Sequence, residues 1–284
     1  MDNLAAFSSR GPTFDGRMKP DLVAPGSSVQ TAYANEEGKT VDVHGTSYSG
    51  PVVAGNAALV RQYFEEGKLP CQSEDCKLDP SGTLVKAVLL NSAHSLEKVQ
   101  VTEPGMEKKH LEELKEYDSN QGMGLIQLDR TLPIRGYNKI NAIVRNDKEI
   151  SDRESHDIYI VATPGTCMDT SYKHDFSATL TWYDPAGSVS CAKCLVNDLD
   201  IMVHGITQNG HIKGSSKVFP NGATHKDNNN NVERIRFEME GTKRYRIRIK
   251  ASNLATATTT FSMIATGCFK EIPKPTSSIS DVMI

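Results

Sequence analysis

The 284-residue chain is 38% apolar and 24% charged, with 21 Gly and 13 Pro, which excludes collagen, a coiled coil and wholesale disorder. The 32 Lys and Arg stand against 35 Asp and Glu, a formal net charge of −3, and no basic stripe offers nucleic acid a hold. No apolar run reaches the roughly 18 residues of a membrane helix, so no membrane span is expected.

The opening residues, Met1 to Phe7, lack the basic start and apolar stretch of a signal peptide. From Phe7 to about Leu132 the texture is α/β. Loops marked by Gly and Pro, Ser9-Arg10-Gly11-Pro12 and Ala24-Pro25-Gly26, precede a run of small and apolar residues from Ser49 to Tyr63. Its apolar residues lie on nearly every side, which as a helix predicts burial all round. Pro51 is tolerated only near a first turn, so the helix is expected to start close to Ser47. A second helical pattern runs from Thr83 to about Ala93. The charged stretch between about Glu97 and Asn120 reads as a solvated insertion.

From about Asn141 to Phe269 the period becomes two. Phe176, Ala178, Leu180 and Trp182 alternate with polar residues, as do Tyr245, Ile247 and Ile249 with Arg244, Arg246 and Arg248. Such alternation means strands with one buried and one wet face. Several of them in series predict an antiparallel β-sandwich or jelly roll. The fold expected is therefore α/β over 1–133, all-β over 134–270, and a loose tail over 271–284.

Six cysteines suit three disulfides. Free thiols and zinc are the alternatives, and zinc is disfavoured because no His lies at ligand spacing within either loop. The pairs expected are 71–76, 191–194 and 167–268. Disulfides imply a secreted protein, and without a signal peptide that hints at a missing front.

The sharpest local feature is His44-Gly45-Thr46-Ser47-Tyr48-Ser49-Gly50-Pro51-Val52-Val53-Ala54-Gly55. A serine at a helix N-terminus has orphan N–H donors and a favourable dipole beside it, both suited to an oxyanion. Small neighbours let a peptide backbone approach. A plain helix cap is the other reading of a serine so placed. The surrounding segment resembles the active-serine signature of the subtilisin-like serine proteases (subtilases). Phe7-Ser8-Ser9-Arg10-Gly11-Pro12-Thr13, the segment Lys19 to Gly26, Lys86 to Ala93 and Gln121 to Ile126 resemble segments of that family in the same order. The resemblance covers roughly residues 4–132.

It implies that Ser47 is the nucleophile of a serine endopeptidase acting on proteins or peptides through an acyl-enzyme, with its own N–H as one oxyanion donor. Two departures stand out. Tyr48 takes the place of the family's usual Met. The family's catalytic Asp, His and oxyanion-hole Asn all precede the serine, and none of the 46 residues before Ser47 matches those blocks. His44, three residues from Ser47, is read as a loop residue rather than the base. The expectation is a C-terminal part of a peptidase domain, inactive by itself. The alternative is an inactive remnant whose β half is a binding module.

The β half resembles, less specifically, the C-terminal jelly rolls of some subtilases, through Ala178 to Asp184, Leu195 to Asp200 and Asn229 to Glu233. Some such modules bind Ca2+. With Leu199, Ile201 and Val203 facing the core, Asp198 and Asp200 fall together on the opposite face, the hard oxygen ligands that structural Ca2+ takes. The loop carrying Asp227, Asn229, Asn231 and Glu233 is a second oxygen-rich stretch, or simply a turn former.

Overall fold

The computed structural model describes residues 3–34, 36–70, 76–101, 110–163 and 176–275. In the N-terminal half, β1 (Asn3–Leu4) pairs in parallel with β4 (Lys98–Val101), which pairs antiparallel with β5 (His110–Glu113). The charged stretch is thus more than a solvated insertion: part of it is a strand pair, with Val99 packed beside Leu4 and Leu96. A separate hairpin joins β2 (Val29–Ala32) to β3 (Thr40–Val43).

Two helices follow, α1 (Thr46–Glu65) and α2 (Gly82–Ser92), close to where the sequence pattern puts them. Pro51 falls in the second turn of α1, just past the first turn, where a missing N–H costs least. Burial of α1 departs from expectation. Only Val60 and Phe64 are buried, and Leu59 is 56% exposed. One face of α1 packs against α2, while Ala54, Ala58 and Leu59 look outward. An all-round apolar helix needs partners on several sides, and the described residues supply them on only some.

The C-terminal half is two antiparallel sheets face to face. One has the strand order β10-β9-β12-β7-β14, built from β7 (Ser155–Ala162), β9 (Asp198–Ile206), β10 (Ile212–Val218), β12 (Arg244–Asn253) and β14 (Phe269–Ile272). The other has the order β11-β8-β13-β6, built from β6 (Asn141–Ser151), β8 (Phe176–Trp182), β11 (Val232–Phe237) and β13 (Thr258–Gly267). The alternating residues fill the space between them. Phe176, Leu180, Ile201, Ile247, Ile249 and Phe261 belong to one core cluster, as period-two burial requires. Trp182 is buried there and donates through Nε1 to the Asn197 carbonyl at 2.9 Å.

The second face of the four-stranded sheet is not wet. Helix α2 lies on it, and Ile264 and Val144 of the sheet join Leu84, Ala87 and Val88 of α2 with Val60 and Phe64 of α1 in one apolar cluster. The polar residues of that face serve as partners for the helix. The Asn91 side chain donates to Thr131 Oγ1 at 2.5 Å and Thr266 Oγ1 at 2.9 Å, and accepts from Ser177 Oγ at 2.7 Å and Thr179 Oγ1 at 3.0 Å. At the other end, Ser81 caps the helix by accepting from Leu84 N–H at 3.1 Å. The hydroxyl of Ser262 is within 3.0 Å of those of Ser81 and Thr83.

Arg234 of β11 finishes the contact. It is 5% exposed and donates to the carbonyls of Leu90 and Ala93 at 2.9 Å each and of Met123 at 3.0 Å. A cation at a helix C-terminus meets the negative end of the dipole and its orphan carbonyls. Burial, with repulsion from Arg236, pulls the Arg234 guanidinium down to about 9.

Cys191 and Cys194 form a disulfide with Cα atoms 5.3 Å apart, as expected. Cys76 and Cys268 are disulfide-bonded too; their expected partners, Cys71 and Cys167, lie outside the described residues. Among the described residues no helix is long and apolar enough to cross a membrane.

Two outcomes are expected. Replacing Arg234 by Met leaves three buried carbonyls without their donor and lowers the unfolding free energy by about 2–4 kcal/mol, read by urea denaturation. On the outer face of the five-stranded sheet, burial and then the charges of Arg246, Lys217 and Arg248 pull His204 down to about 4. A depressed imidazole binds fewer protons folded than unfolded. Its share of stability is therefore full above its ordinary value of about 6.5 and is lost as pH falls toward 4. His204→Gln should flatten the melting temperature between pH 6.5 and 4; an unchanged pH profile would remove His204 from that role.

Candidate active site

Ser47 is the second residue of α1 and is exposed. Its N–H belongs to the first helical turn, whose donors have no intrahelical acceptor. Gly45 precedes the helix with φ 146° and ψ 156°, a conformation that side chains rarely adopt. Its N–H donates to the Gly26 carbonyl at 2.8 Å, and its own carbonyl accepts from Tyr48 N–H at 3.1 Å. Ser49, one turn face away, donates to the Ala24 carbonyl at 3.0 Å. Gly26 fits closely under this turn: a Cβ there would sit 2.2 Å from Ser49 Oγ and 2.8 Å from the Gly45 carbonyl oxygen. The turn that presents Ser47 is thus clamped to the loop around Ala24-Pro25-Gly26, one of the upstream segments singled out in the sequence.

Beside it opens a cavity of about 520 Å³, with Gly26, Thr46, Ser49, Gly50, Val53 and Leu125 among its walls. Tyr48 turns its ring toward Gly45, 3.7 Å from where a Cβ would stand.

His44 does not act on Ser47 through Nδ1. That atom accepts from Ser28 N–H at 3.0 Å and lies 3.1 Å from Ser27 Oγ. The Ser47 hydroxyl makes no hydrogen bond among the described residues. Asp21 and Asp15, the upstream carboxylates, serve the loops. Asp21 is ion-paired with Lys19 at 2.6 Å and Lys86 at 3.3 Å, and Asp15 with Arg17 at 2.7 Å. Asp42 lies on β3.

In the β half, Leu199, Ile201 and Val203 face the core as expected. Asp198 is half-buried, but Asp200 is fully buried and already has a cation. The Lys226 ammonium and the Ser252 hydroxyl both donate to Asp200 Oδ2. Burial, and then the charge of Asp200, push Asp198 up to about 6. Glu233 is fully buried and raised well above the usual carboxylate range, by burial first. Among the described residues no group of three or more His, Cys, Asp or Glu is arranged to hold a metal ion. With the ammonium on Asp200, the pair Asp198 and Asp200 does not fit Ca2+ as expected from sequence.

The second oxygen-rich loop is a turn. Asp227 accepts from Asn229 N–H, Asn230 N–H, Asn221 Nδ2 and Asn230 Nδ2 at 2.6–3.1 Å. Asn230 in turn accepts from Met18 N–H at 2.7 Å, which ties the loop to the N-terminal half. Lys226 and Ser252 escaped the sequence reading. Neither belongs to a motif, and only the bulge that displaces Ser252 from the ladder brings it to Asp200.

Residues 1–124 match the model of the subtilase family. Two relatives from Dictyostelium discoideum match along most of the chain. The serine protease/ABC transporter B family protein tagB is 27% identical over 94% of this chain and 16% of its own length. The protein tagA, of the same description, is 28% identical over 91% of this chain and 15% of its own length. C5a peptidase of Streptococcus pyogenes is 40% identical over 93 residues, 33% of this chain and 7% of the relative. Over residues 1–124 the chain is thus similar to the subtilase family. It spans about one-sixth of the length of the Dictyostelium relatives it matches.

Gly26→Ala is expected to force Ser49 and the Gly45 carbonyl apart and lower stability by about 1–3 kcal/mol. A melting temperature equal to the parent's would show that the clamp yields freely.

Proposed function

We propose that the protein of which this chain forms a part is a serine endopeptidase and that Ser47 is its nucleophile. The exposed serine in the first turn of α1, after a glycine-only backbone turn, carries this reading, and the subtilase match over the same residues supports it. Peptide-bond cleavage would begin with attack of Ser47 Oγ on the scissile carbonyl. The proton from Oγ passes to a base, and the amine leaves to give an ester on Ser47 that water then hydrolyses. The free N–H at the N-terminus of α1 would share the oxyanion.

The base, its orienting carboxylate and the second oxyanion donor come, on this reading, from polypeptide outside these 284 residues. His44 has its Nδ1 engaged, and no upstream segment resembles the family's Asp or His blocks. The outward apolar face of α1 and the cavity beside Ser49 are the surfaces such polypeptide would cover. The 134–270 module would stay docked on the peptidase as its C-terminal jelly roll. Its disulfides favour an oxidising, extracellular setting.

A fluorophosphonate probe tests this reading. The 284-residue chain should label no better than its Ser47→Ala variant. A longer chain that includes the upstream Asp and His segments should label at Ser47. Labelling of the short chain that Ser47→Ala abolishes would place a working base within it. No labelling of the long chain would favour the inactive binding module.

A further inference from the structure

The carboxylates around Asp200 collect where the five-stranded sheet is open. Strand β10 pairs with β9 only from Val203 onward, which leaves the first residues of β9 without a neighbour on that side. Glu233 of the other sheet closes the gap, accepting from Ile201 N–H through Oε2 at 2.5 Å. On the opposite side, β12 slips register between Ala251 and Asn253. The slip frees Ser252 to turn its hydroxyl onto Asp200. Lys226, on the connection between β10 and β11, reaches across the opening, with its ammonium on Asp200 Oδ2 and 2.7 Å from Ser252 Oγ.

Among the described residues three buried carboxylate oxygens here have no hydrogen-bond partner: Asp198 Oδ1, Asp200 Oδ1 and Glu233 Oε1. Asp200 and Glu233 are both 0% exposed. Buried carboxylates are stable only when paired or hydrogen-bonded, and a lone oxygen of this kind attracts a cation. One ammonium offers three donors and a single charge. Burial first, and then repulsion from the neighbouring carboxylates, raises Asp198 and Glu233 toward their neutral forms. One ammonium therefore faces more carboxyl oxygens than its contact with Asp200 satisfies. Ca2+ likewise takes hard oxygen donors of this kind.

We propose that Lys226 is the built-in cation of this carboxylate cluster and stands in the place of a divalent metal, so that the β-sandwich needs no Ca2+ while Lys226 is present and binds Ca2+ through the same oxygens once the ammonium is removed. The proposal is independent of the protease reading, because every residue in it lies in the β half. It also accounts for the sequence pattern: the Asp198-Leu199-Asp200 spacing is that of a cation site, and the cation is a side chain.

The full 284-residue chain and its Lys226→Met variant test it by thermal unfolding in EDTA, in millimolar Ca2+ and in millimolar Mg2+. The parent should melt at the same temperature in all three. The variant should melt lower in EDTA. It should rise by roughly 5–10 °C in Ca2+ held about 100-fold above its dissociation constant, with a smaller response to Mg2+. Adding Asp200→Asn to the variant should remove the Ca2+ response. If Lys226→Met is unfolded in EDTA, Ca2+-driven recovery of native Trp182 emission supports the proposal equally. An equal Ca2+ shift in the parent would overturn it, because metal would then bind beside the ammonium. A variant insensitive to Ca2+, folded or not, would overturn it as well.

Discussion

The N-terminal half meets the β half through the seating of helix α2 on the outer face of the β11-β8-β13-β6 sheet. The helix is apolar on two sides. One side meets Val60 and Phe64 of α1, and the other meets Ile264 and Val144 of the sheet. Between these, Asn91 exchanges four hydrogen bonds with threonines and a serine, and Arg234 holds the helix C-terminus. Apolar burial supplies the attraction, which has no direction of its own. The amide and guanidinium fix where along the sheet the helix stops, because any slip strands buried donors and carbonyls.

The site depends on that seating at one remove. Helix α1 rests on α2, and the loop around Ala24-Pro25-Gly26 holds the turn that presents Ser47. The chain from Met123 to Ile126, held by Arg234 at Met123 and bonded to Asp21 and Val23, runs between the two. A serine hydroxyl acquires chemistry only from its surroundings. Here those surroundings fix the turn that carries Ser47 and leave Ser47 exposed.

Much of this was legible in the sequence. Period-two alternation located the strands that fill the sandwich, Pro51 set the start of α1, and the residues around Ser47 pointed to the family. Alternation reports which residues are apolar, not what covers the polar ones. Ser177, Thr179 and Thr181 read as a wet face, yet they lie under α2, because hydroxyls satisfy helix groups as readily as they satisfy water. Apolarity all round α1 announced a buried helix, but a pattern in one segment does not say which chain supplies the cover. Asp198 and Asp200 were found by spacing. Lys226, far along the chain and without a motif, was invisible until the open edge of β9 brought it to them.

The manner of docking bears on how freely such halves can be exchanged between proteins. A purely greasy interface tolerates a new partner if shapes roughly agree. This one is keyed: Asn91 and the Leu90, Ala93 and Met123 carbonyls stand on one side, Thr179, Thr266, Ser177 and Arg234 on the other. A chimera that grafts this β half onto a different N-terminal half would inherit a buried guanidinium with nothing to hold. The two halves have to travel as a matched pair, and substitutions on either side of the seam are compatible only with their counterparts across it.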